Sequence, residues 1–365
     1  MKIGYFSPLP PAKTGVADYS TALIPELRKF AGIELNRPGS VNLYHIGNNQ
    51  LHREIYSEAL RNPGVVVLHD AVLQHFMLGT LSQEEYVREF TYNYGRWSSD
   101  LGVELWRGRA RSAADVRYFC HPMLRRVAES SQAVIVHNQA AAQMVRAHVP
   151  SARIIEIPLL FPRPPVPSFE EIQTFRTGIG LRPRSILFGI FGYLRETKRL
   201  LPVLRCFARL RAEMPDARLL IAGEYGSEDL RRAVEPMLPD SVIRLGYAGI
   251  RDFWIHAHAV DACINLRYPS AGESSAITIH MMGIAKPVIV TAGVDVSHWP
   301  EGLCLPVDIG PAEEEMLRHY LIWLYEFQDY AQEIGRRAAQ HISKFHEVHA
   351  VARSYFEALE SLRSR

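Results

Sequence analysis

Short runs of apolar, β-branched residues alternate with longer amphipathic stretches along the whole chain. In the first half, KIGYFS (2–7), VNLYHI (41–46), VVVLH (65–69), AVIVH (133–137) and RIIEIP (153–158) read as strands. Between them, YSTALIPELRKF (19–30) and NQAAAQMVRAHV (138–149) carry the helical period. Runs of buried strands alternating with helices predict a parallel α/β sheet. A proline cluster with few core residues, FPRPPVPSFEEIQTFRTGIGLRPRS (161–185), then reads as an interdomain linker. The alternation restarts with SILFGIFGY (185–193), ARLLIAGE (217–224), SVIRLGY (241–247), DACINL (261–266) and KPVIVT (286–291). The expected fold class is therefore α/β, with two Rossmann-like doubly wound domains facing a cleft. Sheets of this kind take their ligands outside the carboxyl ends of the strands, which makes that cleft the expected site.

Residues 83–126 interrupt the strand spacing of the first domain with helical segments rich in Tyr, Trp, Phe and Arg. Two readings stay open for them: a helical insert with its aromatics packed inward, or a basic-aromatic face that meets an acceptor or a membrane surface.

Composition narrows the class without changing the fold. A chain of 365 residues suits about two domains of ordinary size. Hydrophobic content of 47% and charged content of 22% are those of a globular protein. The 41 Lys and Arg against 39 Asp and Glu leave a net charge of +2, so no global field argues for nucleic acid. Cys120, Cys206, Cys263 and Cys304 form no CxxC pair, which argues against a zinc site and suits a reducing cytoplasm. MKIGYFSPLPP is broken by prolines and does not read as a signal peptide, and no apolar run approaches ~18 residues. Peripheral contact with the inner membrane stays open.

Four stretches carry candidate chemistry. In PPAKTGVADYS (10–20), Gly15 opens a helix whose free amides suit a phosphate or a sugar hydroxyl, although many α/β turns need a glycine for geometry alone. In VVVLHDAVLQHF (65–76), His69 and Asp70 stand at a strand's carboxyl end. His69 is either a ligand group or a loop histidine, Asp70 reads as a cap for the next helix, and His75 as structural. In GIFGYLRETKRLLPVLRCFARL (189–210), the strand ends at Gly192, and Arg195, Lys198 and Arg199 cluster at a helix start. They are either a solvated helix start or, since cations are unfavourable there unless an anion offsets them, the ligands of a bound phosphate. In RYPSAGESS (267–275), Glu273, Ser274 and Ser275 precede a helix, where they act as caps or hold an anion or a sugar.

In this order the four stretches resemble the retaining glycosyltransferases of the GT-B fold, family 4 (glycosyl transferases group 1). The resemblance adds a strand ending in glycine (IAGE, 221–224), an aspartate before a strand (VDACINL), the GxP segment GIAKPVIV and the closing helix VHAVARSYFEALESL. It implies an acceptor-side domain over 1–165, a donor-binding domain over 166–345, and a helix over 346–365 returning to the first. It places Gly15 by the donor phosphate and acceptor, and His69 on the transferred sugar. It puts Lys198 on the departing diphosphate and the amides of Ser274, Ser275 and Ala276 on a phosphate or sugar. Gly192 belongs to the phosphate turn, and Gly223, Glu224, Tyr247 and His280 are the nucleotide-side candidates. The nucleotide sugar is a substrate, with a saccharide or lipid-linked acceptor as its partner. No cofactor is implied, and no Asp-x-Asp metal motif occurs.

The chain departs from the family pattern at two places. Gly192-Tyr193 stands where the family has Gly-Arg, so Arg195, Arg199 or Arg267 is the substitute phosphate ligand. Of the two glutamates normally eight positions apart, the second falls on His280 and the first on Gly272, with Glu273 one residue late. The loop form RxPxxGExS resembles bacterial transferases that modify surface polysaccharides, with Glu273 in the acidic role. Two other readings remain, an epimerase-like GT-B enzyme and a non-catalytic nucleotide- or glycan-binding partner.

Overall fold

The computed structural model of the chain describes residues 1–12, 14–183, 185–210 and 212–363. The chain folds into two compact units. The first comprises Met1–Pro162, Pro269–Ser274 and Phe345–Arg365, and the second Arg163–Tyr268 and Ser275–Lys344. Pro269–Ser274 belongs with the first unit although it lies in the second half of the chain.

The first unit holds six parallel strands: β1 (Lys2–Phe6), β2 (Gly32–Leu35), β3 (Val41–Ile46), β4 (Val65–Leu68), β5 (Ala133–Val136) and β6 (Ile154–Glu156). Their order is β2-β1-β3-β4-β5-β6. The second unit holds β7 (Leu187–Phe191), β8 (Arg218–Ala222), β9 (Val242–Leu245), β10 (Ala262–Asn265), β11 (Val288–Thr291) and β12 (Leu305–Val307), in the order β12-β11-β10-β7-β8-β9. Central strands such as VVVL (β4) and AVIV (β5) are buried at every position, because helices cover both faces of the sheet.

Ten of these strands fall within the apolar runs of the sequence. β2 and β12 do not. Both are short edge strands, GIEL with no buried residue and LPV with Pro306 at the rim, so neither shows the fully apolar pattern. The presumed linker also contains a helix, Phe169–Gly178, opened by a capping box between Ser168 and Glu171. It packs on the helix Ile250–Ala259, where Phe175 and His256 lie with ring centroids 4.3 Å apart. The flanking prolines hid a Ser-x-x-Glu start signal.

The insert between β4 and β5 forms helices Gln83–Tyr94, Ser99–Arg107, Val116–Phe119 and Arg125–Ser130. Tyr86, Phe90, Tyr118 and Phe119 join the core of the first unit, as the inward reading expects. Tyr86 donates to Gln74 Oε1 at 2.7 Å and Tyr118 to Leu105 O at 2.6 Å, which satisfies the buried hydroxyls. Trp97 is 82% exposed, and Arg107, Arg109 and Arg111 are exposed as well. Among the described residues no helix is long and apolar enough to cross a membrane. The last helix, Val348–Arg363, packs against the helix Gly15–Leu27, with Tyr19 donating to the Tyr355 hydroxyl at 2.9 Å and His349 Nδ1 3.0 Å from Glu26 Oε2.

Asn138 holds the 269–274 excursion in place. Its Oδ1 caps the helix Gln139–His148 through Ala141 N–H at 2.8 Å, and its Nδ2 donates to Gly272 O at 3.0 Å and Ser274 Oγ at 2.9 Å. Ala71 N–H donates to Ala271 O at 2.8 Å, and Gly272 has φ +69, with a Cβ there 2.9 Å from Met144 Sδ. Asn138→Ala should therefore cost about 2–3 kcal/mol, a lost cap plus a stranded buried carbonyl. Asn138→Asp, which keeps the cap and loses the amide donor, should recover only part of it. Urea unfolding checks this, and an unchanged midpoint for Asn138→Ala would show that the excursion does not depend on this side chain.

Candidate functional site

In the second sheet the strand order reverses between β7 and β10, the position where doubly wound sheets open a ligand crevice. Three groups meet at the carboxyl ends of these strands. Lys198 is 7% exposed, and its ammonium donates to Phe191 O at 2.6 Å and Asn265 Oδ1 at 3.2 Å. The Asn265 amide donates to Ser275 Oγ and Thr278 Oγ1, each at 2.7 Å. Ser275 caps the helix Ala276–Gly283 by accepting from Thr278 N–H at 3.3 Å. A cation and a helix N-terminus thus share one asparagine. The turn after β7 needs Gly192 at φ +85, and a side chain at Gly223 (φ +149) would collide with Gly192 O.

The other candidates of this unit divide by their partners. Arg199, in the left-handed region at φ 56, is held by Glu313 through two hydrogen bonds, that from Nε being 2.8 Å. Its fork is turned onto a carboxylate that is 3% exposed. Arg195 is exposed and stacks on Tyr193 with its guanidinium carbon 5.4 Å from the ring centre. Arg267 is half-buried, and its backbone N–H donates to Thr291 Oγ1 at 2.8 Å. Glu224 Oε1 accepts from Tyr247 N–H at 2.8 Å, which ties the turn after β8 to the end of β9 and leaves the Tyr247 ring exposed. His280 packs between Trp254 and Phe253, 5.3 and 6.3 Å away by ring centroids, and burial lowers its pKa to about 4.

In the first sheet the order reverses between β1 and β3. Thr14 caps the helix that Gly15 opens; among the described residues a Cβ at Gly15 would meet nothing within 4 Å. Asp70 does not cap the next helix, whose N-cap is Leu73; its Oδ2 accepts from Asn48 N–H at 2.8 Å and fixes the loop after β3. Asn48 in turn lies 3.1 Å from His75 Nδ1, the structural role expected of that histidine.

His69 is half-buried at the end of β4 and does not stand alone. His45 Nδ1 lies 2.9 Å from His69 Nε2, the His137 ring lies tilted with its centroid 5.0 Å from that of His69, and Tyr19 meets His69 edge-on at 4.9 Å. His52 Nδ1 lies 3.0 Å from His45 O, and His137 Nδ1 2.9 Å from Ile157 O. The sequence reading singled out His69 and passed over His45 and His137. The same signal marks all three: each sits at the carboxyl end of an apolar strand run, in VNLYHI, VVVLH and AVIVH.

Of RYPSAGESS, Ser275 caps the helix start. Ser274 Oγ donates to His137 O at 3.2 Å and Glu273 Oε2 accepts from Ala271 N–H at 2.8 Å, so both shape the excursion into the first unit. Ala276 is the exposed first residue of the helix.

Two parallel, doubly wound six-stranded units in one chain form the GT-B architecture found in glycosyltransferases. Among solved structures the chain is similar to Anabaena Alr3699/HepE in complex with UDP and glucose, with a TM-score of 0.68 and 16% identity over 99% of this chain and 100% of that one. It is also similar to the sucrose-phosphate synthase of Thermosynechococcus elongatus, with a TM-score of 0.67 and 13% identity over 100% and 99% of the two chains. TarM matches with a TM-score of 0.57 and 12% identity over 89% of this chain and 55% of that one. At these identities the likeness establishes the fold. No family model matches the chain, and no curated protein matches it in sequence.

The histidine group makes stability depend on pH. Burial holds His45 and His69 well below the ordinary histidine range, with mutual repulsion among the rings on protonation adding to it, and lowers His52 and His137 to about 4. A folded-state pKa below the unfolded value means that, as pH falls, the unfolded chain takes up protons first. This contribution is full above pH ~6.5 and is lost as pH falls towards ~4, at up to about 1.4 kcal/mol per pH unit for each such histidine. Urea midpoints at pH 7.5, 6 and 5 should fall steeply across this window, and flat midpoints would contradict the buried neutral cluster.

Proposed function

We propose that the chain is a retaining glycosyltransferase of family 4. It would move a hexosyl group from a nucleotide sugar to a saccharide or lipid-linked acceptor, in the synthesis of cell-surface polysaccharide. The observation that carries this reading is the Lys198–Asn265–Ser275 arrangement at the reversal between β7 and β10. It sets a buried ammonium beside a capped helix start, the pair of groups that suits a diphosphate. The UDP and UDP-glucose complexes of the similar Anabaena structure support the same ligand class.

In this reading the anomeric C–O bond breaks, and its electron pair leaves with the diphosphate. Lys198 and the amides of Ser275 and Ala276 meet the developing negative charge, with Arg195 and Arg267 as the supporting cations. Positive character builds on the sugar, where His69 hydrogen-bonds the transferred residue and Glu273 supplies the acidic group. The acceptor hydroxyl attacks from the face the phosphate is leaving and passes its proton to the phosphate, so the anomeric configuration is kept. Gly15 leaves the first helix open to the donor phosphate and acceptor, while Gly192, Gly223, Glu224 and Tyr247 shape the nucleotide side. The exposed Trp97 and its neighbouring arginines support a lipid-linked acceptor and a peripheral membrane contact.

A second reading, a non-catalytic nucleotide-binding partner, rests on His280, which stands where the family's second glutamate belongs. Transfer assays with UDP-, GDP- and ADP-sugars decide between them. A product whose anomeric proton matches the donor's configuration supports the transferase; an inverted product overturns retention. Nucleotide binding without turnover supports the partner.

Two substitutions test the assignment of roles. Lys198→Met should lower turnover by ~10²-fold or more, the scale of one preorganised charge contact, and unchanged kinetics would remove Lys198 from the site. Gly15→Ala should leave the melting temperature unchanged or slightly raised, because nothing in the fold opposes a methyl group there. It should nevertheless weaken substrate binding by about tenfold, on the scale of one lost hydrogen bond. Undiminished binding would place Gly15 outside the site.

A further inference from the structure

We propose that His45 is a positioning residue that fixes the tautomer of His69, so that His69 offers a ligand an N–H donor and not a base. This inference builds on the proposed role of His69 as a sugar contact, yet its first test needs neither substrate nor turnover.

The argument is a proton count. His45 and His69 share one hydrogen bond, between His45 Nδ1 and His69 Nε2 at 2.9 Å, and one proton lies in it. If His69 were the donor, His45 would carry its own proton on Nε2. That atom is buried and has no hydrogen-bond partner among the described residues, and His45 as a whole is fully buried among Tyr5, Tyr19 and Tyr355. Stranding a buried N–H is among the costlier errors a fold can make, whereas a bare acceptor lone pair is stranded more often. The cheaper arrangement puts the proton on His45 Nδ1, which donates to His69 Nε2. His69 must then carry its proton on Nδ1.

The neighbours follow the same rule. His52 Nδ1 faces the carbonyl of His45 and His137 Nδ1 faces the carbonyl of Ile157; a carbonyl only accepts, so both rings are protonated on Nδ1. Their Nε2 atoms are buried lone pairs like that of His45. The backbone locks the partners as well, since His69 N–H donates to Ile46 O at 2.9 Å and keeps His69 beside the strand that carries His45. Among the described residues, His69 Nδ1 makes no hydrogen bond within the protein. A group that presents only N–H there suits a sugar hydroxyl or ring oxygen. It cannot take a proton from an acceptor without first breaking its bond to His45.

The test is a long-range proton–nitrogen correlation spectrum of the full chain labelled with nitrogen-15 histidine, with the His69 signals assigned by their loss in His69→Gln. The expected spectrum shows His69 Nδ1 as the protonated, pyrrole-like nitrogen and Nε2 as the bare one. The reverse pattern at the assigned His69 signals of the unmodified protein overturns the proposal. His45→Phe, which keeps a flat ring and removes the donor, should shift His69 to the other tautomer or a mixture. His45→Asn, whose amide reaches the place of Nδ1, should restore the original form. A His69 tautomer unmoved by His45→Phe also overturns the proposal.

If transfer activity is found, His45→Phe should lower kcat by ~10–100-fold, the usual effect of losing an orienting partner. The donor KM should move less, and His45→Asn should recover most of kcat. Equal losses in both variants would assign His45 a packing role only. If no transfer is found, the spectra still decide the proposal.

Discussion

An ammonium group taken out of water is costly unless the fold surrounds it with acceptors, and Lys198 is set in that way between two parallel strands. Phe191 O closes β7 and Asn265 closes β10, so the lysine sits where the second sheet changes direction and neither neighbour can cover the gap. Everything around it follows from that placement. Asn265 must turn its oxygen to the lysine, which points its amide at Ser275 and Thr278 and sets the first turn of the following helix. Gly192 must take a positive φ to bring the chain round to Lys198, and Gly223 must lack a side chain to let Gly192 O pass.

The first unit solves a related problem with neutral groups. Where its sheet carries polar residues at strand ends, it uses imidazoles that burial keeps uncharged: His52 and His137 are anchored through Nδ1 to backbone carbonyls, and His45 through Nδ1 to Nε2 of His69. Their ring contacts with Tyr5, Tyr19 and Tyr355 link the strand ends to the first and last helices of the chain. The two units thus present different chemistry at the ends of their strands, a buried cation in one and a neutral hydrogen-bonding ladder in the other.

Much of this was legible in the sequence, because a strand buried on both faces must be apolar throughout and therefore declares itself. The edge strands β2 and β12 were missed for the same reason, since half-exposed strands need not follow that pattern. The helix Phe169–Gly178 was hidden by the prolines around it, although its Ser168–Glu171 box was in plain view. Lys198 and Ser275 could be found from their positions after strands. The pairing of Arg199 with Glu313 spans 114 residues and no local pattern foretells it. Nor could RYPSAGESS reveal that Ala271–Ser274 packs with Asn138 and Ala71 in the first unit, for that depends on a glycine at φ +69 and a distant amide.

The central claim is that the β7–β10 reversal binds the diphosphate of a nucleotide sugar. Hydrogen–deuterium exchange of the full chain with and without UDP-glucose tests it most directly. The account predicts slowed exchange at the amides of Gly192–Lys198 and Ser275–Ile279, and loss of that protection in Lys198→Met. Bound UDP-glucose with protection confined to other segments would contradict it.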